Sequence, residues 1–121
     1  MIRVVIIGTG NISHAHIQGY LMLRDRVQIA ALVDIVPGKA ERVRRQYGLD
    51  CEVFERHEDI LDRTVIDLAD ICTPPYVHAP IAVNCLCSGK HVICEKPMAA
   101  SLEECDAMLR ARDESGKLLS I

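Results

Sequence analysis

Glu95-Lys96-Pro97 places a lysine directly after a short apolar run, His91-Val92-Ile93-Cys94. Such runs read as strands of an α/β unit, and open α/β sheets bind ligands in the crevice beyond the carboxyl ends of their strands. The proline restricts Lys96 to extended backbone, so its side chain points in one defined direction. The Lys96–Pro97 bond itself can be cis or trans. A lysine beside a nicotinamide can hydrogen-bond a substrate hydroxyl, favour its alkoxide character and ease hydride departure; in the reverse direction it polarises a carbonyl. Taken alone, the tripeptide reads equally well as an exposed lysine at a strand end.

A second constellation lies at the other end of the chain, where Ile2-Arg3-Val4-Val5-Ile6-Ile7 runs into Gly8-Thr9-Gly10-Asn11-Ile12-Ser13. This is a G-x-G-x-x-S variant of the dinucleotide fingerprint. Gly8 permits the tight turn out of the strand, and Gly10 lets a pyrophosphate approach the backbone. The amides that open the next helix, at Asn11 and Ile12, offer hydrogen bonds and the positive end of a dipole. Ser13 stands where glycine or alanine is usual and is small enough to fit. Asp34 closes the next apolar run, where a carboxylate can accept from both hydroxyls of an adenosine ribose and repel a 2′-phosphate. Ile35 rather than an arginine follows it, so NAD is expected in preference to NADP. Lys39 and Arg42 are near enough to leave some dual use. Thr73 and Pro74, at the end of a further run, either border the cofactor or simply punctuate the chain. His78, at the start of the following helix, is either a ligand contact or a helix-end hydrogen-bonder.

These residues need a particular set of elements to hold them. The patterning predicts strands over Ile2–Ile7, Val27–Asp34, Cys51–Phe54, Leu68–Thr73, His91–Glu95 and, barely begun, Lys117–Ile121. Helical patterns separate them. In Asn11–Leu23 the face with Ile12, Ala15, His16, Gly19, Tyr20 and Leu23 is expected to meet the sheet. Pro37 opens and Gly48 closes the second helix, the favoured asymmetry. A short helix is expected near Glu58–Leu61, and one with Pro80 in its first turn runs to Gly89. Ser101-Leu102-Glu103-Glu104 is a capping box for the last, which stops at Gly116. Strands separated by helices pair in parallel through right-handed crossovers. The fold class is therefore α/β, a doubly wound parallel Rossmann sheet of expected order 3-2-1-4-5-6, with the sixth strand truncated.

The 121 residues make one domain, and a net charge of −3 gives no reason to expect nucleic acid, which needs a basic face. No run approaches a membrane span, and no signal-peptide core is visible. The six cysteines form no C-x-x-C pair, and His14, His16, His57 and His91 share no metal spacing, so neither a metal nor disulfides are expected. That pattern reads as a cytoplasmic protein.

Three stretches, Gly8-Thr9-Gly10-Asn11-Ile12-Ser13, Thr73-Pro74-Pro75-Tyr76-Val77-His78 and Gly89-Lys90-His91-Val92-Ile93-Cys94-Glu95-Lys96-Pro97-Met98-Ala99, resemble the glucose-fructose oxidoreductase / inositol dehydrogenase / rhizopine-catabolism (Gfo/Idh/MocA) family. The resemblance covers the whole chain. It implies the amino-terminal cofactor domain of an NAD(P)-dependent oxidoreductase acting on sugars, cyclitols or related polyols. It makes Lys96 the catalytic lysine and Glu95 a residue lining the nicotinamide ribose. Pro75 departs from the pattern, standing where many members have asparagine. The family also implies a second domain with a large antiparallel sheet, supplying the substrate pocket, an aspartate and histidine that work with the lysine, and usually the interface of a homo-oligomer. Residues 1–121 contain none of it, so the chain alone is expected to bind cofactor without turnover. It reads as a fragment of a longer enzyme, the alternative being a stand-alone dinucleotide-binding or sensor module.

Overall fold

Apolar residues fill the first strand without polar interruption, and the computed structural model, which describes residues 1–121, shows where both of its faces go. Strand β1 (Ile2–Ile7) lies inside a six-stranded sheet with β2 (Val27–Val33), β3 (Glu52–Phe54), β4 (Leu68–Ile71), β5 (His91–Cys94) and β6 (Leu119–Ser120). Every pairing is parallel and the order is β3-β2-β1-β4-β5-β6. Helix α1 (Asn11–Met22) joins β1 to β2, and α2 (Lys39–Tyr47) joins β2 to β3. Helix α3 (His78–Cys87) joins β4 to β5, and α4 (Leu102–Ser115) joins β5 to β6. Short 3-10 turns at His57–Ile60 and Pro75–Val77 lead towards β4 and into α3.

Side chains alternate across a strand, so a strand buried on both sides reads as a continuous apolar run. Val5 and Ile7 enter the larger core, with Ala82, Cys85 and Leu86 of α3 and Met108 of α4. Val4 and Ile6 enter the smaller core, with Ile17 of α1 and Val43 of α2. Opposite β1, Val4 pairs with Ile29 and Val5 with Ala31, which leaves Ala30 as an extra residue in a bulge of β2.

The element ends follow from local chemistry. Gly48, at φ +61°, closes α2 in left-handed backbone, as the sequence predicts. Ser101 Oγ accepts from the Glu104 amide at 3.2 Å, and Glu104 reaches back to the Ala100 amide at 3.0 Å, one residue earlier than a standard capping box. Strands β2, β4 and β5 stop before their predicted ends, but the ladder continues. Asp34 N donates to Phe54 O, Cys72 N to Ile7 O and Glu95 N to Ile71 O. Asp34 and Glu95 are thus the first residues past the strands, still held by the sheet, with side chains at its carboxyl edge.

One face differs from expectation. Helix α1 buries Ser13 and Ile17, while Ile12, Ala15, Gly19 and Leu23 are exposed. A Cβ added at Gly19 would meet nothing within 4 Å, so that glycine permits no close approach to the sheet.

Candidate cofactor site

The carboxyl ends of β1, β2 and β4 border a cleft of about 540 Å³. Gly8, Gly10, Asp34, Thr73 and Pro74 line it, together with Lys39, His57 and apolar side chains such as Val36, Tyr76 and Ile81. Gly8 turns the chain out of β1 at φ +92°. A Cβ there would lie 2.9 Å from the Cys72 carbonyl group, so both backbone hand and space require glycine. Gly10 is different. Its φ is an ordinary −78°, and a Cβ would meet no protein atom within 4 Å. The room above Gly10 is open for a ligand's approach.

Helix α1 begins just past Gly10 with no side-chain cap and no acid in its first turn, which leaves its leading amides and dipole end for an anion. Ser13 is fully buried, and its hydroxyl donates to Gly10 O at 2.6 Å, so the departure from glycine or alanine is accommodated within the turn itself. Thr73 Oγ1 is buried with no hydrogen-bond partner in the protein, and Thr73 lines the cleft. A buried hydroxyl without a partner is rare enough to point to a ligand. Open space at Gly10, uncapped amides and the Thr73 hydroxyl together fit a dinucleotide.

Asp34 is more committed than its position in the sequence suggests. Its Oδ2 accepts from the Thr9 amide at 2.9 Å and the Thr9 hydroxyl at 2.8 Å, and its Oδ1 from the Val36 amide at 2.9 Å. Lys39 Nζ lies 3.7 Å from Oδ2. A carboxylate offers about four acceptor sites, so one remains on Oδ1 for a ribose hydroxyl rather than the pair expected. Burial raises the Asp34 pKa, but the Val36 and Thr9 hydrogen bonds and the Lys39 charge outweigh it and hold the carboxyl below its usual range.

Lys96 and Glu95 lie past the end of β5, outside the cleft lining. Lys96 is exposed, its amide donates to Glu95 Oε2 at 3.1 Å, and the Lys96–Pro97 bond is cis. Asn11 and Ile12 are exposed at the start of α1. His78 is fully buried, with Nδ1 2.9 Å from Pro97 O and Nε2 2.8 Å from Thr73 O. Both ring nitrogens face main-chain carbonyls, so His78 ties the Thr73 loop to the lysine turn instead of presenting a nitrogen to a ligand.

Two histidines that share no metal spacing have defined partners at or near the cleft. His57 lines the cleft, oriented by Asn84 Nδ2 at 3.0 Å. His16 sits between Asp70 Oδ2, at 2.7 Å, and Glu95 Oε1, at 2.8 Å. Asp70 has no sequence signal of its own beyond an acid inside an apolar strand. That signal is real, because a buried charge must be paired.

Residues 2–121 match the Gfo/Idh/MocA model, an oxidoreductase family with an NAD-binding Rossmann fold. The scyllo-inositol 2-dehydrogenase (NADP(+)) of Bacillus subtilis is 37% identical over 99% of this chain and 32% of its own length. The inositol 2-dehydrogenase of Salmonella typhimurium is 27% identical over 96% of this chain and 34% of its own. Among solved structures, the WlbA dehydrogenase of Chromobacterium violaceum, in complex with NADH and UDP-GlcNAcA, superposes with a TM-score of 0.91. It is 29% identical, over 98% of this chain and 34% of that one. The chain thus spans about a third of the length of the relatives it matches.

Proposed function

This chain belongs to the Gfo/Idh/MocA oxidoreductases as their NAD-binding domain, and from that premise we propose that it serves a dehydrogenase transferring hydride between nicotinamide and a hydroxyl or carbonyl carbon of a cyclitol or sugar. The supporting observation is the alignment of Gly8, Gly10, Asp34 and Thr73 along one cleft, with Lys96 beyond it at the end of β5. When bound, the cofactor supplies the hydride acceptor or donor. The amides opening α1 and the Thr73 hydroxyl receive its pyrophosphate region, and Asp34 Oδ1 a ribose hydroxyl. Glu95 lines the nicotinamide end. Lys96 hydrogen-bonds the reacting oxygen of the substrate, favouring its alkoxide character as the hydride leaves and polarising the carbonyl in the reverse direction. The relatives named for inositol and the one solved with UDP-GlcNAcA support the polyol and sugar class.

NAD is the preferred cofactor in this reading, because the Asp34 carboxylate repels a 2′-phosphate. Lys39 moderates that repulsion from 3.7 Å, so NADP is weaker rather than excluded. The NADP(+) in the name of the Bacillus relative fits such a narrow margin.

The test uses the complete protein with a panel of inositols and sugars. Lys96→Met is expected to slow hydride transfer by about two to four orders of magnitude, the usual scale for losing a proton-transfer group, with NADH affinity unchanged. Lys96→Arg should not rescue, since a planar, permanently charged guanidinium does not exchange its proton. Single-turnover rates for Lys96→Met equal to those of the unmodified enzyme contradict the role of Lys96. NADH binding without turnover of any polyol or sugar favours a nucleotide-binding module instead.

A further inference from the structure

We propose that His16 is a positioning residue of this site: an imidazolium that bridges Asp70 and Glu95 and so holds the turn that carries Lys96. The consequence for catalysis rests on the dehydrogenase reading above; the bridge itself does not. His16 lies in the second turn of α1. Its Nδ1 donates to Asp70 Oδ2 at 2.7 Å and its Nε2 to Glu95 Oε1 at 2.8 Å. The other Glu95 oxygen, Oε2, accepts from the Lys96 amide at 3.1 Å. A continuous line of hydrogen bonds therefore runs from β4 through α1 to the backbone of the lysine.

Hydrogen-bond inventory fixes the charge state this line needs. A ring between two carboxylates needs two N–H groups, and only the imidazolium has both. The titratable groups around His16 and its two carboxylates are Asp70 and Cys72 from the β4 side, Glu95 past β5 and Tyr20 from its own helix, with Cys94 on the other face of the sheet but within the field of both carboxylates. Lys96 adds a positive charge beside Glu95. Burial raises the Cys72 thiol and the Tyr20 phenol and pushes Cys94 up to about 12, so these three are neutral. The two carboxylates carry the negative charge, and His16 is the cation between them. Burial pulls the His16 pKa down, but its hydrogen bonds to Asp70 and Glu95, with their charges, outweigh that and leave it raised. On the partner side, the bond from His16 is the largest influence lowering Glu95.

The bridge is asymmetric, and that sets which link yields. The Asp70 side chain is fully buried and also accepts the Tyr20 hydroxyl at 2.8 Å, whereas Glu95 is 21% exposed. Leaving a buried acceptor without its donor costs more than releasing one that water can reach. As pH rises through the His16 pKa, above the ordinary 6.5, the ring keeps Asp70 and releases Glu95. The lysine turn then loses its link to α1, while the cofactor loop at Gly8–Gly10 is untouched.

The test is a pH titration of this chain by nuclear magnetic resonance, following the His16 ring nitrogens and the Lys96 amide together. The Lys96 amide is expected to step at the His16 midpoint, and Tyr20→Phe, which takes one donor from Asp70, to move both midpoints upward together. His16→Gln should abolish the step. In the complete enzyme, the same substitution should lower hydride transfer by up to about a hundredfold, the scale of a small misplacement of a reacting group, with cofactor affinity unchanged and the high-pH loss of rate removed. A Lys96 amide that stays flat through the His16 midpoint overturns the proposal, whether or not NADH binds. A coupled step in a chain that takes up no NADH leaves the bridge standing and removes the cofactor reading instead.

Discussion

Asp34 illustrates how far a fold commits a carboxylate before any ligand arrives. Three of its acceptor sites already hold the Thr9 and Val36 backbone and the Thr9 hydroxyl. The residue therefore shapes the glycine loop, in addition to the ribose contact proposed for it. Asp34→Ala should accordingly do two things: weaken NAD and NADP binding alike by loosening Thr9, and narrow or reverse the preference for NAD. Paired titrations of the mutant with both cofactors separate the effects, and an unchanged affinity ratio would mean that the ribose is held by other groups. Residues of this kind were legible in the sequence because the chemistry forces them to strand ends beside glycine and proline. The contact between His16 and Asp70 was not, although at 2.7 Å it is among the shortest at the site. They stand 54 residues apart and meet only when α1 packs across β4. Histidine spacing, which tests for metal sites along the chain, has no power over such a pair.

Each element contributes an edge rather than a surface. Parallel pairing brings Gly8, Asp34, Thr73 and Glu95 to one side of the sheet because every strand ends there, a placement the strand–helix alternation was enough to predict. Helix phase was harder to read. Of the face expected to meet the sheet, His16 and Tyr20 do turn inward, to the Asp70 carboxylate, but Ile12, Ala15, Gly19 and Leu23 are exposed and Ser13 and Ile17 are buried instead. The phase is thus rotated from the expected one towards Ser13 and Ile17. The turn between β1 and α1 gives a prediction at this scale. Gly8→Ala forces a Cβ against the Cys72 carbonyl in left-handed backbone, and should cost about 1–3 kcal/mol of stability, read from urea unfolding. Gly10→Ala should leave stability nearly unchanged, because its Cβ enters open space, yet weaken NADH binding by occupying the pyrophosphate's approach. Equal stability losses for the two would show that Gly10 too is structural.

At the scale of the whole molecule, the sheet separates a larger core under α3 and α4 from a smaller one under α1 and α2, and the cleft opens at the edge shared by both. The larger core supports the Thr73 loop and, through His78, the lysine turn; the smaller supports the glycine loop and His16. No helix is long and apolar enough to cross a membrane. The order of the six strands followed from the alternation of patterns, since right-handed crossovers leave few arrangements open. The division of labour between the two cores did not, because it depends on which long-range polar contacts cross the sheet. In the proposed function one dinucleotide lies along this edge, adenosine at Asp34 and nicotinamide towards Lys96. An amide-resolved titration of the chain with NADH, repeated with ADP, tests it most directly. Saturable shifts are expected at Gly8, Gly10 and Asp34 with both ligands, and at Lys96 with NADH alone. Shifts that fail to saturate, that lie away from these strand ends, or that reach Lys96 equally with ADP would contradict it.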